Sequence, residues 1–139
     1  MTGLHDDRLQ GGALNAAISN AMVRILTDYT GRGPTKARTN VLEDLVVVVL
    51  HDQLTKAERT LVEVGEVEKV MEIRRLFQRT MKDEAVARVE VLTGRRVIAF
   101  MSANHAGPDL AVELFQLDAA PGADALAGSD GRGELRGVG

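Results

Sequence analysis

Apolar and polar positions follow two different periods along the chain, and these periods divide it into helices and strands. Apolar residues recur at spacings of three and four between Leu14 and Tyr29, which predicts an amphipathic helix over about residues 9–29. The sequence Gly-Arg-Gly-Pro at 31–34 ends that helix, because glycine permits a left-handed residue and proline cannot continue a helix. The first element is therefore predicted to be a long helix.

Two strands are predicted next. Residues 36–43 change from polar to apolar, as in an outer strand. Residues 45–50, Leu-Val-Val-Val-Val-Leu, are apolar on both faces and β-branched, which is typical of a central strand. Asp44 lies between the two segments, so we expect a hairpin, although no glycine supports the turn.

The next signals are helical. Thr55 and Glu58 have the spacing of a capping box, which predicts the start of a short helix that Gly65 interrupts. A longer apolar stripe follows and ends at Gly94. Arg74 lies at the edge of this stripe, and we expect it to pair with a buried carboxylate such as Glu58.

Residues 97–101 and 110–117 are predicted to be two more strands, with a loop over 102–108. The order α–β–β–α–α–β–β predicts an α+β fold with a four-stranded, mainly antiparallel sheet and two long helices on one face. A single domain is expected over 9–118, after a flexible N-terminus at 1–8. The glycine-rich composition of 119–139 predicts a disordered tail.

Composition narrows the possible functions. The chain has 139 residues and no cysteine, which excludes disulfides, thiolate metal sites and cysteine nucleophiles. Only 3% of the residues are aromatic and the net charge is −3, so we expect no nucleic-acid binding and no binding to an anionic membrane. No apolar run is long enough to span a bilayer, and no signal peptide is recognisable. We therefore expect a cytoplasmic protein with no metal and no cofactor.

The valine-rich strand raises the question of what covers its second face. If the helices cover only one face, apolar side chains remain on the other, and such patches usually mark interfaces. We therefore expect a homodimer that uses this face or the flank of the long helix. The alternative is that the short helix covers it. The candidate interface residues are Val47, Val49, Phe100 and Phe115.

A second candidate site is the glycine-rich segment after the first helix. Arg32, Gly33, Lys36 and Arg38 combine backbone donors with positive charge, which suits a phosphate or another anion. The segment leads into a strand and lacks the spacing of a P-loop, so it does not indicate an NTPase. The alternative is a helix stop followed by a solvated strand.

Catalytic chemistry is less well supported. Ser102, Asn104, His105 and Asp109 include the groups of a nucleophile–base pair, but no strained turn precedes the serine and nothing fixes a triad. We predict no catalytic residues and no enzyme. The alternatives are a small-anion or nucleotide-binding regulatory module that uses the 31–34 loop, and an RNA-binding domain, which the acidic net charge and scarce aromatic residues oppose.

Five segments of the body keep a recognisable order along the chain. They are GRGP at 31–34 with Lys36, LVVV at 45–48, Leu54-Thr55 through Glu58 to Leu61, TGR at 93–95, and VIAFMS at 97–102 with Asn104-His105. Through these segments, about residues 10–117 resemble the MpsC family, a small bacterial domain named for a Na⁺-translocating, membrane-potential-generating system. The resemblance implies a soluble accessory domain of a membrane cation or inorganic-carbon uptake system, with partners in that transport complex. It transfers no catalytic residue.

Overall fold

The computed structural model describes residues 9–123. It has three helices and four strands in the predicted order, so the α+β prediction is confirmed. The predicted N-terminal segment 1–8 and residues 124–139 of the predicted tail lie outside the described residues. The elements are α1 (Gly11–Thr30), β1 (Lys36–Leu42), β2 (Leu45–His51), α2 (Lys56–Glu63), α3 (Val67–Thr93), β3 (Val97–His105) and β4 (Leu110–Leu117).

The ends of the helices follow the predicted signals. Gly31 is left-handed, with φ 81°, and donates its N–H to the Thr27 carbonyl at 2.9 Å. The capping box that begins α2 is complete, since Thr55 and Glu58 each accept the other's backbone N–H. Gly94 ends α3 in the left-handed conformation, with φ 71°. Glycine at both helix ends avoids the steric cost that a Cβ would have there.

The sheet has the order β1-β2-β4-β3, and all neighbouring strands are antiparallel. The β1–β2 hairpin is confirmed, and its two-residue turn places Glu43 at φ 57°. β2 and β4 are therefore the central strands, while β1 and β3 are the two edges.

The prediction of a loop over 102–108 is wrong for its first half. β3 continues to His105, and only residues 106–109 connect it to β4. Ser102 and Asn104 favour a turn in isolation, but in the structure their side chains face the helices and hydrogen-bond to Glu113 and Gln78. Tertiary contacts therefore override the local turn preference.

The two faces of the sheet differ. On the first face, Val46, Val48, Leu50 and Phe115 are fully buried beneath α1 and α3, and a hydrogen bond of 2.8 Å between Ser19 and Thr39 links α1 to β1. The helices pack on this face and on one another; α2 packs against α3. The alternative in which the short helix covers the second face is therefore not what the structure shows.

Candidate functional site

Seven hydrogen-bonded side chains form a polar strip on the helix-covered side of the sheet. Its members are Glu58, Arg74, Gln53, Asn104, Gln78, Glu113 and Ser102. It begins where α2 meets α3. The Arg74 Nη1 atom donates to Glu58 Oε1 at 3.2 Å, and both side chains are almost fully buried. The same Glu58 oxygen accepts the Thr55 N–H at 2.8 Å, so the helix cap also orients the carboxylate for Arg74. The expected Arg74–Glu58 pair is therefore confirmed.

The strip continues through neutral amides. The second guanidinium nitrogen of Arg74, Nη2, donates to Gln53 Oε1 at 2.7 Å. Gln53 is 2% exposed and its amide donates to Asn104 at 3.4 Å. Asn104 and Gln78 then exchange two hydrogen bonds, at 3.0 and 3.1 Å. These contacts connect the loop after β2 with the inward side of β3.

Glu113 lies at the far end of the strip, in the middle of β4. Its carboxylate accepts hydrogen bonds from Gln78 Nε2, at 3.3 Å, and from the Ser102 hydroxyl. Burial raises the pKa of Glu113 from 4.5 to about 7, against the opposing effects of the two hydrogen bonds and the Arg74 charge. This carboxyl group therefore changes its charge near neutral pH.

A groove of about 280 Å³ opens beside this end of the strip, between α3 and β3. Phe100, Ser102 and Gln78 form part of its lining, and Ser102 and Gln78 are the two residues that bind Glu113. Three exposed cations of α3 complete it: Arg75, Arg79 and Lys82. Within residues 9–123, none of these three cations forms a salt bridge.

The structure separates the residues of the predicted anion site. Arg32 is engaged by Asp52, with Nη2 2.9 Å from Oδ2, and Arg59 binds the other carboxylate oxygen at 3.0 Å. A Cβ on Gly33 would collide with Thr27 Oγ1, so this glycine provides close packing against α1. Lys36 and Arg38 are exposed at the edge of the second sheet face. The four predicted residues therefore have three different surroundings, and anion binding by them stays a prediction.

The predicted interface residues also fall on two faces. Val47 and Val49 lie on the second face, which no described helix covers, with Leu114 and Val112 as their cross-strand neighbours. Phe115 is fully buried beneath the helices, and Phe100 packs against it with ring centroids 5.0 Å apart. The four residues lie on two faces because successive residues of a strand point to opposite sides of the sheet. Phe115 is consequently inaccessible to a second chain, and the interface candidates reduce to the two valines and their neighbours.

The residues considered for nucleophilic catalysis do not converge. Ser102 and Asn104 face the helices, whereas His105 lies on the other face of the sheet. The Nδ1 atom of His105 lies 2.9 Å from the Pro108 carbonyl oxygen. Asp109 accepts the Leu54 N–H at 2.9 Å. No cluster of three or more His, Cys, Asp or Glu able to hold a metal occurs in the part of the chain that the structure describes.

Sequence reasoning missed Gln53, Gln78 and Glu113. Two of them carried a signal: Gln78 stands four residues after Arg74 on the buried side of α3, and Glu113 interrupts the inward positions of β4. A charged residue at an inward strand position needs a partner, which is what the strip supplies. Gln53 follows the end of β2 and had no comparable signal.

Fold and site together define a small α+β domain in which one face of the sheet lies beneath helices and the other is covered by no element of residues 9–123. No helix within residues 9–123 is long and apolar enough to span a membrane. The family model described as Na⁺-translocating membrane potential-generating system (MpsC) matches residues 10–119, and the chain belongs to this family. Comparison with curated proteins and with solved structures gave no match.

Proposed function

We propose that this chain is a non-enzymatic accessory domain of a Na⁺-translocating membrane system, and that two copies associate through the open face of the sheet. The family description supports the link to Na⁺ translocation. The observation that carries the proposal is the open face itself: Leu45, Val47 and Val49 of β2 and Val112 and Leu114 of β4 form a continuous apolar surface. Such surfaces on folded domains usually bind another protein.

The dimensions of this face suit a second copy. Four strands about 4.8 Å apart and seven residues long give a flat area of about 20 by 20 Å. Counted as a flat area, the face would contribute about 400 Å² from each copy, or roughly 800 Å² in total, and projecting side chains add to this. The lower limit of specific interfaces is about 1,000 Å². Paired sheets also place their strands within about 30° of each other, so two copies of one face can pack as a sandwich.

The charges on the face are compatible with a two-fold axis. Lys36 and Arg38 lie along β1, at one edge of the open face, and the residues of β3 in the same rows at the other edge are His105 and Ala103. An axis parallel to the strands places the basic edge of each copy over the β3 edge of the other. The two pairs of cations therefore stay apart, and like-charge repulsion does not oppose the association.

Light scattering of the full chain at micromolar concentration tests the dimer. We expect a mass of twice 15.0 kDa. Val47→Lys should reduce it to the monomer mass, because the substitution places a charge in the centre of the face. Val91→Lys is the matched control, since Val91 is 71% exposed on α3 and lies outside the open face. A wild-type monomer, or equal loss of dimer in both variants, would contradict the proposal.

Co-purification from native membranes tests the accessory role. A tagged full chain, cross-linked before extraction, should recover a subunit of a Na⁺-translocating complex. The matched sample carries Val91→Lys, which should recover the same subunit to the same extent. Recovery of no transport subunit in either sample would count against the membrane association while leaving the dimer intact.

A further inference from the structure

β3 is an edge strand without a charged side chain to protect it against pairing with another chain, and its one register irregularity lies at its start, between Val97 and Ala99. It is nine residues long, and none of its side chains from Val97 to Asn104 carries a charge. Ile98 is 64% exposed and Met101 is 53% exposed. Natural proteins usually protect edge strands with charged residues, and β1 at the other edge has Lys36 and Arg38. Within the described residues, β4 is the only strand that pairs with β3, so its outer side is open.

Three cations stand above this open edge. α3 packs over β3, and the groove between them is lined by Arg75, Arg79 and Lys82 from the helix and by Phe100 and Ser102 from the strand. A helix rises 1.5 Å per residue, so Arg79 follows Arg75 by about 6 Å and Lys82 follows Arg79 by about 4.5 Å along the axis. The nearest acidic residues along α3 are Glu72 and Asp83, and neither is within salt-bridge distance of the three cations.

We propose that an extended acidic segment of a partner protein docks along β3 as a fifth strand, with alternate carboxylates meeting the three cations of the groove. In an added strand, side chains on one face repeat about every 6.6–6.8 Å, compared with about 6 Å from Arg75 to Arg79 and about 4.5 Å from Arg79 to Lys82. The long side chains of these cations span the difference. The main-chain hydrogen bonds of strand addition would supply affinity, and the acidic positions would supply specificity. This inference rests on the proposed role as a protein-binding accessory domain, but it concerns a different surface from the dimer.

A second copy fits this edge poorly. Two β3 strands paired about a two-fold axis perpendicular to the sheet would keep both helix layers on the same side. The cation rows of the two α3 helices would then face each other across the junction. Like charges placed opposite each other disfavour an association, so the same three residues that attract an acidic strand oppose self-pairing here.

Fluorescence anisotropy with the full chain tests the proposal. The probe is a labelled eight-residue peptide in which Glu and Thr alternate, and the reference peptide has the same composition in two blocks, four Glu followed by four Thr. We expect the alternating peptide to bind more tightly by about tenfold at low salt. Its binding should weaken as salt is raised, because the contacts are partly exposed.

Charge variants locate the site. The triple variant Arg75→Gln, Arg79→Gln and Lys82→Gln should weaken binding of the alternating peptide by at least about tenfold. The matched control, Arg24→Gln with Arg88→Gln, removes two exposed cations from a groove between α1 and α3 and should change binding less than about twofold. Amide hydrogen exchange should slow in β3 when the alternating peptide is bound.

Four results would overturn the inference: no binding of the alternating peptide, equal binding of the block peptide, equal binding to the triple variant, or binding without protection of β3. Preferential binding of the wild type to vesicles with anionic headgroups, with no binding of the peptide, would also overturn it in favour of a lipid surface. If the wild-type chain has the dimer mass but does not bind the alternating peptide, this inference is wrong and the proposed dimer is unaffected. A monomer that still binds the peptide removes the dimer and leaves the β3 site.

Discussion

Arg74 on α3 and Glu58 on α2 form an ion pair inside the protein, with 3.2 Å between Nη1 and Oε1 and side-chain exposures of 1% and 5%. Water cannot replace either partner, so each charge depends on the other. The Arg74 guanidinium also lies 5.9 Å from the centre of the Phe77 ring. The pair thereby fixes the short helix against the long one at the start of the polar strip.

Removing the arginine should strongly destabilise the fold. Arg74→Met leaves the Glu58 carboxylate buried without its cation, and we expect the free energy of unfolding to fall by about 3–5 kcal/mol. Denaturant titration at pH 7 measures this. Arg75→Met, one position along the same helix but exposed, is the control and should change stability by less than about 0.5 kcal/mol. Similar losses in both variants would show that Arg74 is not specifically required.

The Glu113 carboxyl group should make stability depend on pH near neutrality. Because burial raises the pKa of Glu113 to about 7, the folded protein still holds this proton at pH values where the unfolded chain has lost it. Its contribution to stability is therefore present below about pH 4.5 and is lost as pH rises to about 7, an effect on the order of 3 kcal/mol.

Glu113→Gln cannot titrate, so its free energy of unfolding relative to the wild type should rise between these pH values and become constant above them. Denaturant titrations at a series of pH values measure the difference. Thr80→Ala, at an exposed position of α3 with no ionisable side chain, is the control and should give a flat difference across the same range. Parallel curves for the wild type and Glu113→Gln would show that Glu113 titrates normally.

The capping box should contribute measurably to stability. Thr55→Ala removes the hydroxyl that accepts the Glu58 N–H at 3.1 Å, and we expect a loss of about 1 kcal/mol. Thr80→Ala serves as the comparison, because the Thr80 hydroxyl is exposed and only donates to a carbonyl of its own helix. Thermal unfolding of both variants measures the effect. A smaller loss for Thr55→Ala than for Thr80→Ala would contradict the assignment.

Substitution of Gly33 tests whether this glycine is needed for packing against α1 or for anion binding. Its added Cβ would collide with Thr27 Oγ1, and we expect Gly33→Ala to cost about 1–3 kcal/mol of stability. Gly12→Ala, where a Cβ meets no atom within 4 Å, should be neutral or stabilising by up to about 1 kcal/mol. Chemical denaturation without added anions measures both. An unchanged stability of Gly33→Ala would remove the packing explanation for this glycine.

Most elements could be predicted because their signals are local. The Thr55–Glu58 cap and Gly94 define helix ends within a few residues, and the valine run of β2 marks a central strand. The β3 strand was predicted too short because Ser102 and Asn104 favour turns in isolation. In the structure their side chains bond to Glu113 and Gln78, 11 and 26 residues away, and no local pattern encodes those partners.

The candidate site was only partly predictable for the same reason. The Arg74–Glu58 pair could be anticipated, since a cation on an apolar stripe requires a nearby carboxylate. The cationic groove required the strand order, which places β3 rather than β4 at the edge beneath α3. The sequence also could not separate Phe115 from Val47, because their faces depend on the register between β2 and β4.

The two edges of the sheet have unequal chemistry, and this inequality limits assembly. If both edge strands of a four-stranded sheet could pair with another chain, the β3 strand of one molecule could pair with the β1 strand of the next. Repetition of this contact would produce an open-ended filament. Lys36 and Arg38 on β1 oppose that addition. The molecule is thereby left with a single receptive edge, so growth in this direction stops after one strand has been added.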